Sequence, residues 1–374
     1  MMKTTDNPVR LLAFYLPQFH PIPENDEWWG KGFTEWTNVA RTRPLFKGHY
    51  QPHLPADLGF YDLRLPEARQ AQADLAREYG INGFCYYHYW FKRRRVLERP
   101  FNEVLESGKP DFPFCLCWAN ENWTRAWDGR SGENLLEQHY GDEDDRAHMA
   151  WLAGAFRDPR YIRVQDRPLF LVYRAGNIPD PLRTTGIWRE EAARLGIGEI
   201  YLCRVESLVG ERNIDPLSQG FDAAIDFQPD WSYLGQPLQR SSWWQIARKL
   251  GLAERAYGEH RIFDYSAIAK KMLERPAPDY LRLPCVTPSW DNSPRRKSDA
   301  VILRDSRPDD YSNWLCRAIE EASRLEPEGL VFINAWNEWA EGNHLEPCQK
   351  WGRAYLEATR NALTASQKEH HDGK

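Results

Sequence analysis

Two glutamates near the C-terminal end, Glu338 and Glu341, are the residues best suited by type and spacing to do chemistry. Glycosidic-bond chemistry commonly needs two carboxyls flanking an anomeric carbon, one exchanging a proton with the bridging oxygen and one acting across the sugar. If the chain turns helically after a strand, side chains three apart have Cβ atoms roughly 5 to 6 Å from each other, so both glutamates could face one pocket. Carboxyls about 5 to 5.5 Å apart suit a retaining mechanism, and burial with mutual repulsion raises the pKa of one of them, which makes it the acid. The competing reading is a pair of capping carboxylates at the start of a surface helix. The flanking Trp336, Asn337 and Trp339 favour the functional one, because aromatic rings beside a carboxyl exclude water.

Other candidates follow short apolar runs in the same way. Tyr15 closes the first run and Glu35-Trp36 lies in the long segment after it. Tyr87, His88 and Trp90 belong to the second run, Asn120, Glu121 and Trp123 follow the third, and Trp290-Asp291 follows the seventh. Glu121 competes with the C-terminal pair for a catalytic role, with a structural ion pair as its alternative. Asp291 and Glu35, each next to a tryptophan, read as hydroxyl binders, since a carboxylate accepts two sugar hydroxyl bonds at once. His88 either donates to a sugar oxygen or is a satisfied core histidine. The remaining residues are expected to bind substrate: Tyr15, Trp36, Tyr87, Trp90, Asn120, Trp123, Trp290, Trp336, Asn337 and Trp339.

The chain has 17 Trp among 374 residues. Several, including Trp28, Trp29 and Trp127, stand beside polar or turn residues, where an exposed ring could stack on a sugar; packing under long loops is the alternative use. A net charge of -5 with interspersed signs disfavours nucleic acid and anionic membranes as partners. No metal or cofactor is expected. Gly141 to Asp145 reads as acidic capping of a helix, His49 and His53 are split by Pro52, and no H-E-x-x-H, P-loop, G-x-G-x-x-G or G-x-S-x-G occurs. The Lys92-Arg93-Arg94-Arg95 run reads as a solvated turn. The 7 cysteines lack C-x-x-C spacing and read as buried free thiols. With no h-region and no run long enough to span a bilayer, a cytoplasmic location is expected. Oligomeric state is left open.

Eight short apolar runs, from Leu11–Leu16 to Leu330–Ala335, alternate with amphipathic segments, which predicts an α/β fold, a single (β/α)8 TIM barrel with long βα loops. The intervening runs are 83–89, 114–118, 169–173, 200–205, 223–227 and 285–289. Helices are predicted over 66–79, 143–156, 187–195, 265–273, 311–325 and 351–363. The long segments 21–63, 228–261 and 290–309 should wall the cleft. Residues 1–9 form an N-terminal extension, 10–363 the catalytic barrel, and 364–374 a disordered tail.

With these motifs in hand, the chain resembles the WbsX family, also called glycoside hydrolase family 99-like. The likeness is carried by Tyr15-Leu16-Pro17-Gln18-Phe19-His20, Gly32-Phe33-Thr34-Glu35-Trp36, Tyr86-Tyr87-His88-Tyr89-Trp90, Trp118-Ala119-Asn120-Glu121-Asn122-Trp123 and Asn337-Glu338-Trp339-Ala340-Glu341-Gly342. It implies a barrel related to the retaining endo-α-mannosidases of family 99. By that resemblance Glu338 would deprotonate a sugar 2-hydroxyl to give a 1,2-anhydro intermediate, and Glu341 would be the acid/base. Such a route requires α-mannose- or α-rhamnose-type linkages, here of bacterial surface polysaccharide. Three readings stay open: a hydrolase or transglycosylase, a glycosyltransferase of O-antigen or lipopolysaccharide assembly, and a non-catalytic carbohydrate-binding protein.

Overall fold

The structure, a computed structural model, describes residues 9–125, 130–207, 209–240, 244, 246, 249–250, 254–326 and 329–372. Trp127, parts of the 228–261 segment and most of the N-terminal extension lie outside these residues.

Eight parallel strands form the core: β1 (Arg10–Tyr15), β2 (Gly83–Phe91), β3 (Phe114–Trp118), β4 (Arg167–Val172), β5 (Tyr201–Val205), β6 (Ala223–Ile225), β7 (Arg282–Leu283 and Cys285–Val286) and β8 (Leu330–Ile333). Each pairs with the next, and β1 pairs with both β2 and β8. Closure falls to β7. Its first half pairs with β6 and its second with β8, with Pro284, which has no N–H to give the ladder, between them. The strands read as continuous apolar runs because they are covered on both faces, by barrel interior and by helices.

Among the described residues the helices of nine residues or more are α1 (Pro66–Glu78), α2 (Arg99–Ser107), α3 (Asp142–Phe156), α4 (Pro181–Arg194), α5 (Tyr265–Leu273), α6 (Pro308–Ala322) and α7 (Ala354–Asp372). The periodicity missed α2, which is short and rich in polar residues. The segment expected to be a disordered tail instead continues α7 as far as Asp372. Between β5 and β6 the described residues hold only short 3-10 turns. A buried charge network packs beside them: Arg204 pairs with Glu206, and Asp226 and Asp230 are shared by Arg212 and Arg275.

The acidic run 142–145 does start α3, where it opposes the helix dipole. Lys92 and Arg93 turn a hairpin, and Lys92, Arg93 and Arg94 are exposed. All seven cysteines are free and six of them buried. No group able to hold a metal occurs among the described residues, and no helix there is long and apolar enough to cross a membrane.

The segments after β6 and β7 share a small sheet of their own. Arg261–Asp264 and Val301–Arg304 pair in parallel, and Trp290–Asp291 joins antiparallel. A small apolar cluster of Phe46, Tyr257, Ile262 and Ile302 backs it.

At the start of β2 a Cβ added to Gly83 would lie 2.9 Å from the Pro113 carbonyl oxygen and 2.6 Å from Ile162. Gly83→Ala is therefore expected to cost about 1–3 kcal/mol of stability, measurable by urea denaturation. An unchanged midpoint would show that the β2–β3 seam yields.

Candidate active site

A cavity of about 290 Å³ opens at the C-terminal ends of the strands, the end where a barrel presents its loops. Glu338 and Glu341 form one wall. Tyr87 and Tyr89 of β2, Glu121 and Trp123 after β3, Tyr173 after β4, Phe227 after β6, and Trp29 in the loop after β1 enclose the rest.

No surface helix follows β8. Asn337–Glu338 pairs antiparallel with Asn343–His344, and the tip is a 3-10 turn at Trp339–Glu341. In a 3-10 turn residues three apart eclipse one another, which brings Glu338 and Glu341 to one side. Gly342 ends the turn at φ +56°, and a Cβ there would come within 3.0 Å of Asp291. The position therefore takes a residue without a side chain.

Arg295 organises the acids. It stands in a short turn after Trp290–Asp291 and contacts Glu341 at 2.7 Å, Glu338 at 2.9 Å and Glu35 at 3.0 Å. Glu35 is wholly enclosed at the start of the short helix Glu35–Arg41, behind a capping box between Thr34 and Thr37. Burial raises the Glu338 pKa to about 8 against the pull of Arg295, with Glu341 and Glu35 adding repulsion. Burial raises the Glu341 pKa as well, again against Arg295. At neutral pH Glu338 therefore favours its protonated form. Burial also raises the pKa values of Tyr87, Tyr89 and Tyr173, leaving neutral phenols that can donate to sugar hydroxyls.

Tyr87, Glu121 and Trp123 from the sequence candidates line this cavity; most of the others support it from behind. Side chains on a strand alternate between faces, so Tyr87 and Tyr89 point inward while His88 and Trp90 point toward α3. There His88 bonds His148 at 3.0 Å and stacks on Trp151. Burial pushes the His88 pKa well down, with His148 and Arg95 lowering it further, so His88 is a core histidine. The Trp90 indole donates to Asp144. Tyr15 faces outward and donates to Gln72 at 2.7 Å. Trp36 donates to the Tyr61 carbonyl and packs on Trp339.

Trp336 is fully enclosed against Phe84. Trp339 stacks on His344 at 3.7 Å and donates to Glu346 at 2.6 Å. Glu346, which also accepts from Gln72 and Tyr61, has its pKa raised to about 7 by burial against these bonds. Asn337 accepts from the Leu16 N–H at 2.7 Å and donates to the Leu16 carbonyl at 3.0 Å. Asn120 makes the same pair of bonds to Arg174, both at 2.8 Å.

Asp291, expected to hold a hydroxyl, is instead occupied by His49 and Gln51, both at 2.7 Å; they keep its pKa low despite burial. Because His49 Nδ1 accepts from the Leu45 N–H, its Nε2 carries the hydrogen that reaches Asp291. Trp290 packs edge-on to Trp231, away from the cavity. Glu35 likewise contacts Arg295 rather than the cavity. Glu121, at the rim, pairs with Arg174 at 2.8 Å.

The residues that sequence reading passed over are Arg295, Tyr89, Tyr173 and Phe227, whereas Trp29, one of the rings with polar or turn neighbours, does line the cavity. Period-two alternation on β2 would have selected Tyr89 together with Tyr87. Arg295 carried only its position in a segment expected to wall the cleft.

A carboxyl whose folded pKa lies above its unfolded value stabilises the fold at low pH, and that stabilisation is lost as pH rises through the folded value. For Glu338 the window runs from about 4.5 to about 8. Glu338→Gln, whose amide mimics the protonated acid, is expected to gain melting temperature relative to the parent as pH goes from 5 to 8. Parallel melting curves across that range would contradict the assignment of the proton.

Residues 11–359 match the family described as Glycosyltransferase WbsX. The chain is 48% identical over 359 residues to the uncharacterized protein WxcX of Xanthomonas campestris pv. campestris (strain B100), covering 96% of this chain and 50% of that protein. WxcX of the strain ATCC 33913 is similar to the same extent. The chain thus spans about half the length of the curated relatives it matches. Among solved structures, a GH99 endo-alpha-mannosidase from Bacteroides thetaiotaomicron, in complex with BIS-TRIS-Propane, superposes with a TM-score of 0.58 at 14% identity, covering 97% of this chain and 98% of that one. A glycoside hydrolase-like protein gives 0.57 at 14% identity, covering 97% and 96%. At such identity the structural likeness is one of fold. The match across nearly the whole barrel makes this chain a member of the WbsX family.

Proposed function

We propose that this barrel is a retaining glycan-processing enzyme acting on α-mannose- or α-rhamnose-type linkages of bacterial surface polysaccharide. The observation that carries the reading is the pair Glu338 and Glu341, held side by side by Arg295 and facing a cavity walled by tyrosine and tryptophan.

The proposed cycle needs one proton on the pair. With substrate bound, Glu341 holds it and Glu338 is ionised. Glu338 takes the hydrogen of the sugar 2-hydroxyl as that oxygen attacks C1, the C1–O bond breaks, and Glu341 protonates the departing oxygen. Water, or a sugar hydroxyl in a transglycosylation, then gives its proton to Glu341 and opens the 1,2-anhydro ring, while O2 recovers its hydrogen from Glu338. Two displacements at C1 leave its configuration retained. Arg295 binds both carboxyls in every state, so a proton can change hands without an uncompensated buried charge. The neutral tyrosines and Glu121 would orient hydroxyls, and Trp123 and Trp29 would stack on sugar faces.

The family's description as glycosyltransferases favours a second reading, transfer to a glycan acceptor in O-antigen assembly. The same carboxyl pair serves it, with the acceptor hydroxyl in place of water. Product analysis with an isotopically labelled acceptor separates the two.

Glu341→Gln is expected to reduce turnover of unactivated glycans by about 10²–10⁴-fold while ligand binding persists; unaltered turnover would end the proposal. In the parent enzyme kcat/KM should fall as pH rises through about 8, where Glu338, and with it the pair, gives up its remaining proton. A rate still climbing past that point would show that no shared proton is needed.

A further inference from the structure

The cavity does not end at Trp29 and Arg295. Both residues also line a second, more open groove of about 520 Å³. Trp28 joins Trp29 there, and its ring meets Trp123 of the first cavity edge-on at 5.8 Å, so an aromatic path links the two spaces.

The groove is cationic. Arg41 and Arg43 come from the loop after β1, Arg296 and Lys297 from the loop after β7, and no carboxylate is among the lining residues. All four side chains are exposed, and among the described residues none of them is held in an ion pair. Several surface arginines elsewhere are matched, as Arg94 is by Glu24, Arg183 by Asp142 and Arg353 by Asp57. In a chain of net charge -5 this is a local reversal of sign. Asn38 Nδ2 and Ser293 Oγ, on two further lining residues, are buried without a partner among the described residues.

We propose that this groove is a substrate subsite for an anionic group carried by the glycan, a uronate carboxylate or a phosphate ester. The inference rests on the reading of the adjoining cavity as a glycan site. Guanidinium forks match the geometry of either anion. A tryptophan face beside them takes the apolar side of the sugar that bears the charge. Substrate would then run from the carboxyl pair across Trp29 to the cations, placing the charge away from the bond that reacts.

The test titrates the whole chain with three trisaccharides: neutral mannotriose, mannotriose carrying one phosphate ester, and trigalacturonate. At about 20 mM salt at least one acidic trimer is expected to bind about tenfold tighter than the neutral one, with the advantage shrinking at about 200 mM. Which acidic trimer gains identifies the anion. The paired change Arg296→Gln with Lys297→Gln should abolish the advantage, and Arg41→Gln with Arg43→Gln, on the opposite wall, should do the same. These side chains are exposed, so folding is not at stake, and circular dichroism verifies it. Equal binding of neutral and acidic trimers, or an advantage that survives both pairs of changes, overturns the proposal. Charge preference together with turnover unaffected by Glu341→Gln would leave the groove standing and remove the catalytic reading. Glycan turnover without charge preference would do the reverse.

Discussion

One largely enclosed guanidinium with three carboxyl groups around it is the constraint on which the site depends. Glu35, Glu338 and Glu341 come from segments some 300 residues apart in sequence, and each needs Arg295 as its counter-charge. The cluster carries more negative than positive charge, so burial favours retention of a proton, and the raised Glu338 and Glu341 pKa values express this.

The surrounding barrel holds this cluster in place by two repeated devices. Asn337 and Asn120 each pair with both the N–H and the carbonyl of one residue at a neighbouring strand's end, extending the ladder by side chain where the backbone has turned away. Behind Glu338 and Glu341, the stacked rings of Trp339 and His344, the enclosed Trp336 and the bonds to Glu346 fill the space under the turn. Arg295 is held from the other side by the small sheet shared by the segments after β6 and β7, anchored where His49 and Gln51 bind Asp291. Trp336 and Trp339, before and within the turn that carries the two glutamates, are therefore supports, and the rings that face the cavity come from other parts of the chain.

This division explains which candidates met at the cavity. Residue type and a position after a strand select side chains that are near the site, but not the side on which they fall. His88 and Tyr87 are neighbours in sequence and lie on opposite faces of β2, one sealed against α3 and one open to the pocket. Asp291 has the right chemistry for a sugar hydroxyl and the wrong neighbours, since His49 and Gln51 already bond its Oδ2 and the Ser293 N–H its Oδ1. The end of α7 differs from expectation for a related reason: its polar composition suits a tail and a helix equally well.

What the sequence determined by itself was the repeat of βα units, the strand positions, the free thiols and the placing of two glutamates in the turn after the last strand. All of these follow from local pattern: apolar runs long enough for a strand, helical periodicity between them, and polar residues where each run stops. Tertiary structure alone decided that Arg295 binds the carboxyl pair, that Glu35 stands behind it, and that β7 closes the barrel in two halves around Pro284. These outcomes depend on pairings between distant segments, and a side chain's charge state follows from the neighbours that folding brings to it.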